Sequence, residues 1–105
     1  MSGHIEPRPS TVHGTGVFAV GRINEGALIG RYTGNPTDAN GTYVLWVEKD
    51  DGGWAGVDGI GVLRFLNHSR EPNVEFDGAD LYALADIDAD AELLFHYGVE
   101  WADVP

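Results

Sequence analysis

Fifteen glycines spread through 105 residues set the strongest limit on what this chain can build. Glycine weakens helix and strand interiors but accepts the positive φ that tight turns need. The apolar runs between them are short: Val17-Phe18-Ala19-Val20, Leu28-Ile29, Tyr43-Val44-Leu45-Trp46-Val47, Leu81-Tyr82-Ala83-Leu84-Ala85 and Leu93-Leu94-Phe95. Each has the length of a strand rather than of a helix. Turn signals separate them, at Asn24-Glu25-Gly26, Thr33-Gly34-Asn35-Pro36, Asn40-Gly41, Asp50-Asp51-Gly52-Gly53 and Asp77-Gly78, where Gly, Asn or Asp supplies positive φ and Pro a pre-set one. Only Gly61 to His68 reads differently. There Val62, Leu63, Phe65 and Leu66 are spaced for one or two helical turns, stopped by Asn67-His68-Ser69 and Pro72. The pattern predicts a mainly β fold of short strands with one helical turn, residues 1–105 forming a single domain.

No apolar run approaches the roughly 20 residues of a membrane span, and no signal-peptide segment follows Met1. A cytoplasmic, membrane-free protein is expected. The absence of cysteine removes disulfides, thiol catalysis and cysteine-based zinc clusters. With 6 Lys+Arg against 17 Asp+Glu, a net charge of −11, the chain is a poor partner for nucleic acid and a good one for a basic protein. Residues 71 to 105 hold ten of those acids and no Lys or Arg, which is either a solvated face or an attractant for cations.

Several chemistries fail on spacing. Gly14-Thr15-Gly16-Val17-Phe18-Ala19 has the letters of a dinucleotide loop, but a turn at Asn24-Glu25-Gly26 stands where a helix N-terminus should receive the pyrophosphate. Its two glycines still allow a close backbone approach, to a ligand or to another strand. His4, His13, His68 and His96 form no HxxxH pair, so no metal site is expected. Ser2, Ser10 and Ser69 lack a nucleophile elbow. Two segments stand out. In Arg64-Phe65-Leu66-Asn67-His68-Ser69-Arg70-Glu71-Pro72-Asn73, an Asn and a His follow an apolar turn, where burial would oblige them to find partners; they either cap the turn or serve a site. In Glu92-Leu93-Leu94-Phe95-His96-Tyr97-Gly98, a Tyr ends an apolar strand, as a packing residue or a functional one.

Together and in this order the segments resemble a SET domain, the protein-lysine methyltransferase family that uses S-adenosylmethionine. His13 to Ala19, followed by Ile23-Asn24-Glu25-Gly26 and Tyr32-Thr33-Gly34, is similar to the family's opening G-x-G-x-F-A, I-x-x-G and Y-x-G. Arg64 to Asn73 is similar to its R-F-x-N-H-S-x-x-P-N signature, and Ile87, Glu92-Leu93 and Tyr97-Gly98 to its closing I-x-x-G-E-E-L-x-x-x-Y-G. Three departures stand beside these matches: Arg70 where Cys is common, Asp90-Ala91 where Gly-Glu is usual, and His96 where Asp often precedes the tyrosine. Asp accepts a left-handed turn, so the hairpin at Asp90 is expected to survive. The cysteine-rich flanking segments of many members are not seen, so the resemblance is to a minimal SET domain, β-clip-like, with several small sheets and a C-terminal pseudoknot, a rare exception to unthreaded chains.

The resemblance implies roles. Thr15, Gly16, Val17 and Phe18 would present backbone to S-adenosylmethionine, with Asn67 at its amino-acid end, His68 at its adenine, and Arg64 either lining the same pocket or pairing with an acid. Tyr97 would be the catalytic tyrosine, brought against Asn67 by the threading. Tyr43, Phe76, Tyr97 and Trp101 would line the lysine channel, and Phe76, at the family's Phe/Tyr switch position, would leave room for di- or trimethylation. The partner would be a basic protein, whether histone, ribosomal protein or bacterial chromatin protein, steered by Asp86, Asp88, Asp90 and Glu100. A homodimer could close the channel. The rival reading is a SET-like module that holds a basic partner without turnover.

Overall fold

In the computed structural model, residues 5–39, 41 and 43–97 are described. In chain order they form β1 (Ile5–Pro9), β2 (Thr15–Ala19), β3 (Leu28–Arg31), β4 (Gly34–Thr37), β5 (Val44–Glu48), β6 (Trp54–Gly59), a 3₁₀ turn (Val62–Phe65), β7 (Asn67–His68), β8 (Val74–Asp77), β9 (Asp80–Ala83) and β10 (Glu92–Phe95). Three small sheets result, ordered β1-β2-β10-β7, β3-β9-β8 and β4-β6-β5. All pairings are antiparallel except that of β10 with β7, where Leu94 and Phe95 run parallel to Asn67 and His68. β10 therefore lies between β2 and β7, two strands far apart in the sequence. The chain after Tyr97, where the expected threading would be completed, is outside the described residues.

The turns form where residue chemistry requires them. Gly52 (φ 85°) closes the β5–β6 hairpin and Gly78 (φ 63°) the β8–β9 hairpin. Asp90 is left-handed at φ 70°, as its place before β10 predicts, and its N–H reaches the Ala19 carbonyl at 2.7 Å. One expectation is corrected. Thr33 to Pro36 is not a turn, because Gly34–Thr37 is β4. Proline cannot donate to a ladder, but β4 is an edge strand, so Pro36 sits opposite Val57 with only one neighbour to satisfy. The one expected helical turn is present as Val62–Phe65, and it stops before Asn67-His68, which is strand because Leu94 and Phe95 are there to pair with it.

Strand alternation supplies the core. Val17 and Ala19 from β2, Leu81 and Ala83 from β9, Val74 from β8 and Leu93 from β10 point inward, joined by Ile23, Ile29, Tyr32, Leu63, Leu66 and Ile87. Ile23 and Ile87 lock two loops together through reciprocal backbone hydrogen bonds of 2.9 and 2.7 Å. Tyr32 is the polar member: its hydroxyl donates to the Tyr43 carbonyl, and its ring passes so close to β6 that a Cβ on Gly59 would lie 2.7 Å from its Cζ. The ring is buried and hydrogen-bonded, so it cannot yield. Gly59→Ala should cost about 1–3 kcal/mol and lower Tm by roughly 4–8 °C for each of them; Gly21→Ala, with nothing within 4 Å of the added carbon, should leave Tm nearly unchanged in the same melting experiment.

Candidate active site

Asn67 is 6% exposed, so its amide must find partners inside the protein. Its Nδ2 donates to the Glu92 carboxylate at 2.9 Å and to the His13 and Thr15 carbonyls at 3.0 and 3.3 Å. Glu92 also accepts from the Ser10 hydroxyl, at 2.8 and 2.9 Å from its two oxygens. This carboxylate lies against the bare backbone of Gly16, where a Cβ would come 2.9 Å from Glu92 Cδ and 3.1 Å from Ser10 Cβ. The close approach read from Gly14-Thr15-Gly16 is thus made, within this chain, to a neighbouring strand's side chain. Asn73 performs a similar service one step along: its amide donates to the Glu92 carbonyl at 2.9 Å and accepts from the Leu94 N–H at 2.8 Å, acting as a surrogate strand for β10.

Tyr97 arrives on the other side of Asn67. Its hydroxyl donates to the Leu66 carbonyl at 2.7 Å, and its N–H donates to His68 Nδ1 at 3.1 Å. In that second bond the imidazole Nδ1 is the acceptor. His68 is buried, and its ring meets those of His96 at 4.9 Å and Tyr97 at 5.2 Å. From Tyr97 a row of aromatic rings runs inward, to Phe95 at 4.9 Å, Phe76 at 5.3 Å from Phe95, and Tyr32 at 5.8 Å from Phe76. Burial pushes the Tyr97 phenol above its ordinary pKa and that of Tyr32 up to about 12.

The remaining candidates fall into three places. Thr15 and Gly16 border the Asn67–Glu92 cluster, Val17 is fully buried in the core, and the Phe18 ring lies under the Arg8 guanidinium at 5.5 Å. Arg64 pairs with no acid among the described residues; it donates to the Ile60 and Gly61 carbonyls at 2.7 and 2.9 Å and covers the Phe65 ring at 4.1 Å. Tyr43 belongs to that group, 6.0 Å from the Phe65 ring, and meets the aromatic row through the Tyr32 hydroxyl on its carbonyl. Trp101 and Glu100 are outside the described residues. Asp86 and Asp90 face Arg22 and Arg8 at 2.8 and 2.9 Å, and Asp88 is 3.7 Å from Arg22, so these three acids already have cations beside them.

Glu92 and Phe95 hold the site together although the sequence, which places both in the closing segment, gives neither a role there. A Glu opening an apolar strand looks like a solvated flank; only the pairing of β10 with β2 and β7 turns it inward. Comparison with known proteins now places the arrangement. The SET-domain family matches residues 14–98, and the chain belongs to that family. It is similar to the methyltransferase domain of human PR domain-containing protein 2, with a TM-score of 0.71 and 26% identity over 90% of this chain and 77% of that one. The Chaetomium thermophilum polycomb repressive complex 2 shares the fold, with a TM-score of 0.77 and 24% identity over 90% of this chain, which spans only 15% of that one. A comparison with curated proteins gives no sequence match.

The raised phenol pKa values have a stability consequence whose sign is fixed. An unfolded chain releases tyrosine protons near pH 10, whereas the folded one keeps that of Tyr32 to about 12. Between those values the folded state binds more protons, so stability falls as pH rises. Denaturant titrations should therefore show a plateau up to about pH 9 and a decline from pH 10 to 12, shallower in Tyr32→Phe than in the wild type.

Proposed function

We propose that this chain is an S-adenosylmethionine-dependent protein-lysine N-methyltransferase acting on a basic protein or peptide. One observation carries the reading: the Tyr97 hydroxyl is tied to the carbonyl of Leu66, next to buried Asn67, at the head of a row of aromatic rings. S-adenosylmethionine, when bound, would supply a methyl on a positively charged sulfur for transfer to a lysine nitrogen. The His13 and Thr15 carbonyls and the Glu92 carboxylate fix the Asn67 amide beside Gly16, which sets the backbone that is assigned to the cofactor. Thr15 to Phe18, Asn67 and His68 are assigned to hold it. Arg64 has its guanidinium engaged elsewhere and is assigned to the aromatic group around Tyr43.

The residues of the row have a defined task. A lysine amine attacks only when neutral, and at a free pKa near 10.4 about one in a few thousand is neutral at pH 7. Phe76, Phe95 and Tyr97 offer it apolar walls, which disfavour the ammonium. A nearby positive sulfur would act in the same direction, so no dedicated base is needed. Tyr97 stays protonated at pH 7, since a free phenol ionises only near pH 10 and burial pushes that of Tyr97 higher. With its hydrogen directed at Leu66, the oxygen presents acceptor lone pairs to the amine and the methyl hydrogens. Alignment of amine and methyl then lowers the barrier further.

Transfer of labelled methyl groups to a panel of basic proteins tests this reading. Tyr97→Phe should reduce kcat by about a hundredfold while cofactor binding persists; equal rates would remove Tyr97 from the chemistry, and cofactor binding without transfer to any protein would make the chain a binding module. Phe76→Tyr adds a hydroxyl to the row between Tyr32 and Phe95. Mass spectrometry of the product should show a shift from di- and trimethyl-lysine towards monomethyl-lysine.

A further inference from the structure

A groove of about 630 Å³ lies beside the β5–β6 hairpin, lined by Trp46, Trp54 and Phe76 with Asp50, Asp77 and Lys49 at its rim. The two tryptophans share one face of the hairpin. Trp46 is opposite Gly56 and Trp54 opposite Glu48, and positions two apart on a strand point the same way. Gly56 makes room for the first ring, since a Cβ there would meet it at 3.0 Å. Trp54 is 62% exposed and Trp46 37%. Exposed indole rings gathered beside carboxylates offer a contact surface.

Its charge says for what. Among the described residues no cation pairs with Asp50 or Asp77. Lys49, the chain's one lysine, leans toward Asp51 at 3.9 Å, which leaves the rim negative. Indole faces and carboxylates both attract cations, and a second copy of this chain, itself at −11, would be repelled. Phe76 fixes the distance to the site. It lines the groove and also stands two ring steps, 5.3 and 4.9 Å, from Tyr97. An extended peptide advances about 3.3 Å per residue, so the groove lies roughly two to four residues from a lysine at Tyr97.

We infer that this groove holds a second cationic side chain of the substrate, arginine or lysine, two to four residues from the methylated lysine. This rests on the methyltransferase reading for the position of the target lysine, and it moves recognition away from Asp86, Asp88 and Asp90, which have arginines beside them, to Trp46, Trp54, Asp50 and Asp77.

The test uses Gly/Ser peptides with one central lysine and a single arginine placed one to six residues away on either side, against a parent without arginine. Binding is measured by calorimetry and methyl transfer with labelled S-adenosylmethionine, on the full chain. Arginine at two to four residues should tighten binding about 5- to 30-fold over the parent and lower KM by a similar factor. In Trp54→Ala, a truncation outside the core, the ratio of the two KM values should collapse to about one; Trp54→Phe should keep most of the preference. A gain that is the same at every arginine position, or that survives Trp54→Ala, overturns the inference. Arginine-dependent binding lost in Trp54→Ala but without methyl transfer supports the groove and sinks the methyltransferase. Transfer that ignores both arginine and Trp54 does the reverse.

Discussion

A side-chain amide shut away from water needs partners for its donors, and the architecture around Asn67 can be understood as the means of supplying them. Two come from the carbonyls before and within β2, and the third is a carboxylate on β10. A charged group that close to the interior would be costly alone; here Glu92 also accepts from Ser10, and Gly16 gives up its Cβ so that the carboxylate fits. Remove one member and its neighbours lose a hydrogen bond. Removing the amide, for example, strands the two carbonyls and weakens the hold on Glu92. The cluster thus joins β1–β2, β7 and β10 with polar contacts whose geometry is more specific than that of the apolar packing beneath.

Much of this was legible in the sequence, and the reasons differ by element. The strands β2, β3, β5, β9 and β10 coincide with apolar runs because each buries one face against the core. The left-handed turn at Asp90 followed from the backbone tolerance of aspartate. β1 and β4 were hidden by prolines, which local rules assign to turns and which a sheet accepts only at its margins. β6 was hidden by Gly56 and Gly59, present because the Trp46 and Tyr32 rings press on that backbone. The candidate site was legible as letters, with Asn67, His68 and Tyr97 in a known order. The role of Glu92 was not, since it depends on which strand β10 meets.

The acidity of the chain illustrates how position changes the meaning of charge. Counted along the sequence, the C-terminal third looks like the place to receive a cation. In space, Asp86 and Asp90 have arginines against them and Asp88 has one nearby, exposed pairs that contribute little to stability but dilute the local field. The acids at the hairpin tip and at the β8–β9 turn lie instead beside exposed indole rings. Aromatic surface next to carboxylate is a different feature from carboxylate alone, because it adds contact area to long-range attraction.

The central place of β10 has a consequence for how the protein comes into being. β2 and β7 are separated by almost half the chain, and the strand that joins them is the last one described. A ribosome could release the first eighty residues and neither the Asn67 cluster nor the Tyr97 contacts could yet exist. Pairings this distant in sequence form slowly, and until they form the edges of β2 and β7 stay open to other chains. The site is then assembled late, so a partly made chain lacks both the Asn67–Glu92 bond and the Tyr97 contacts.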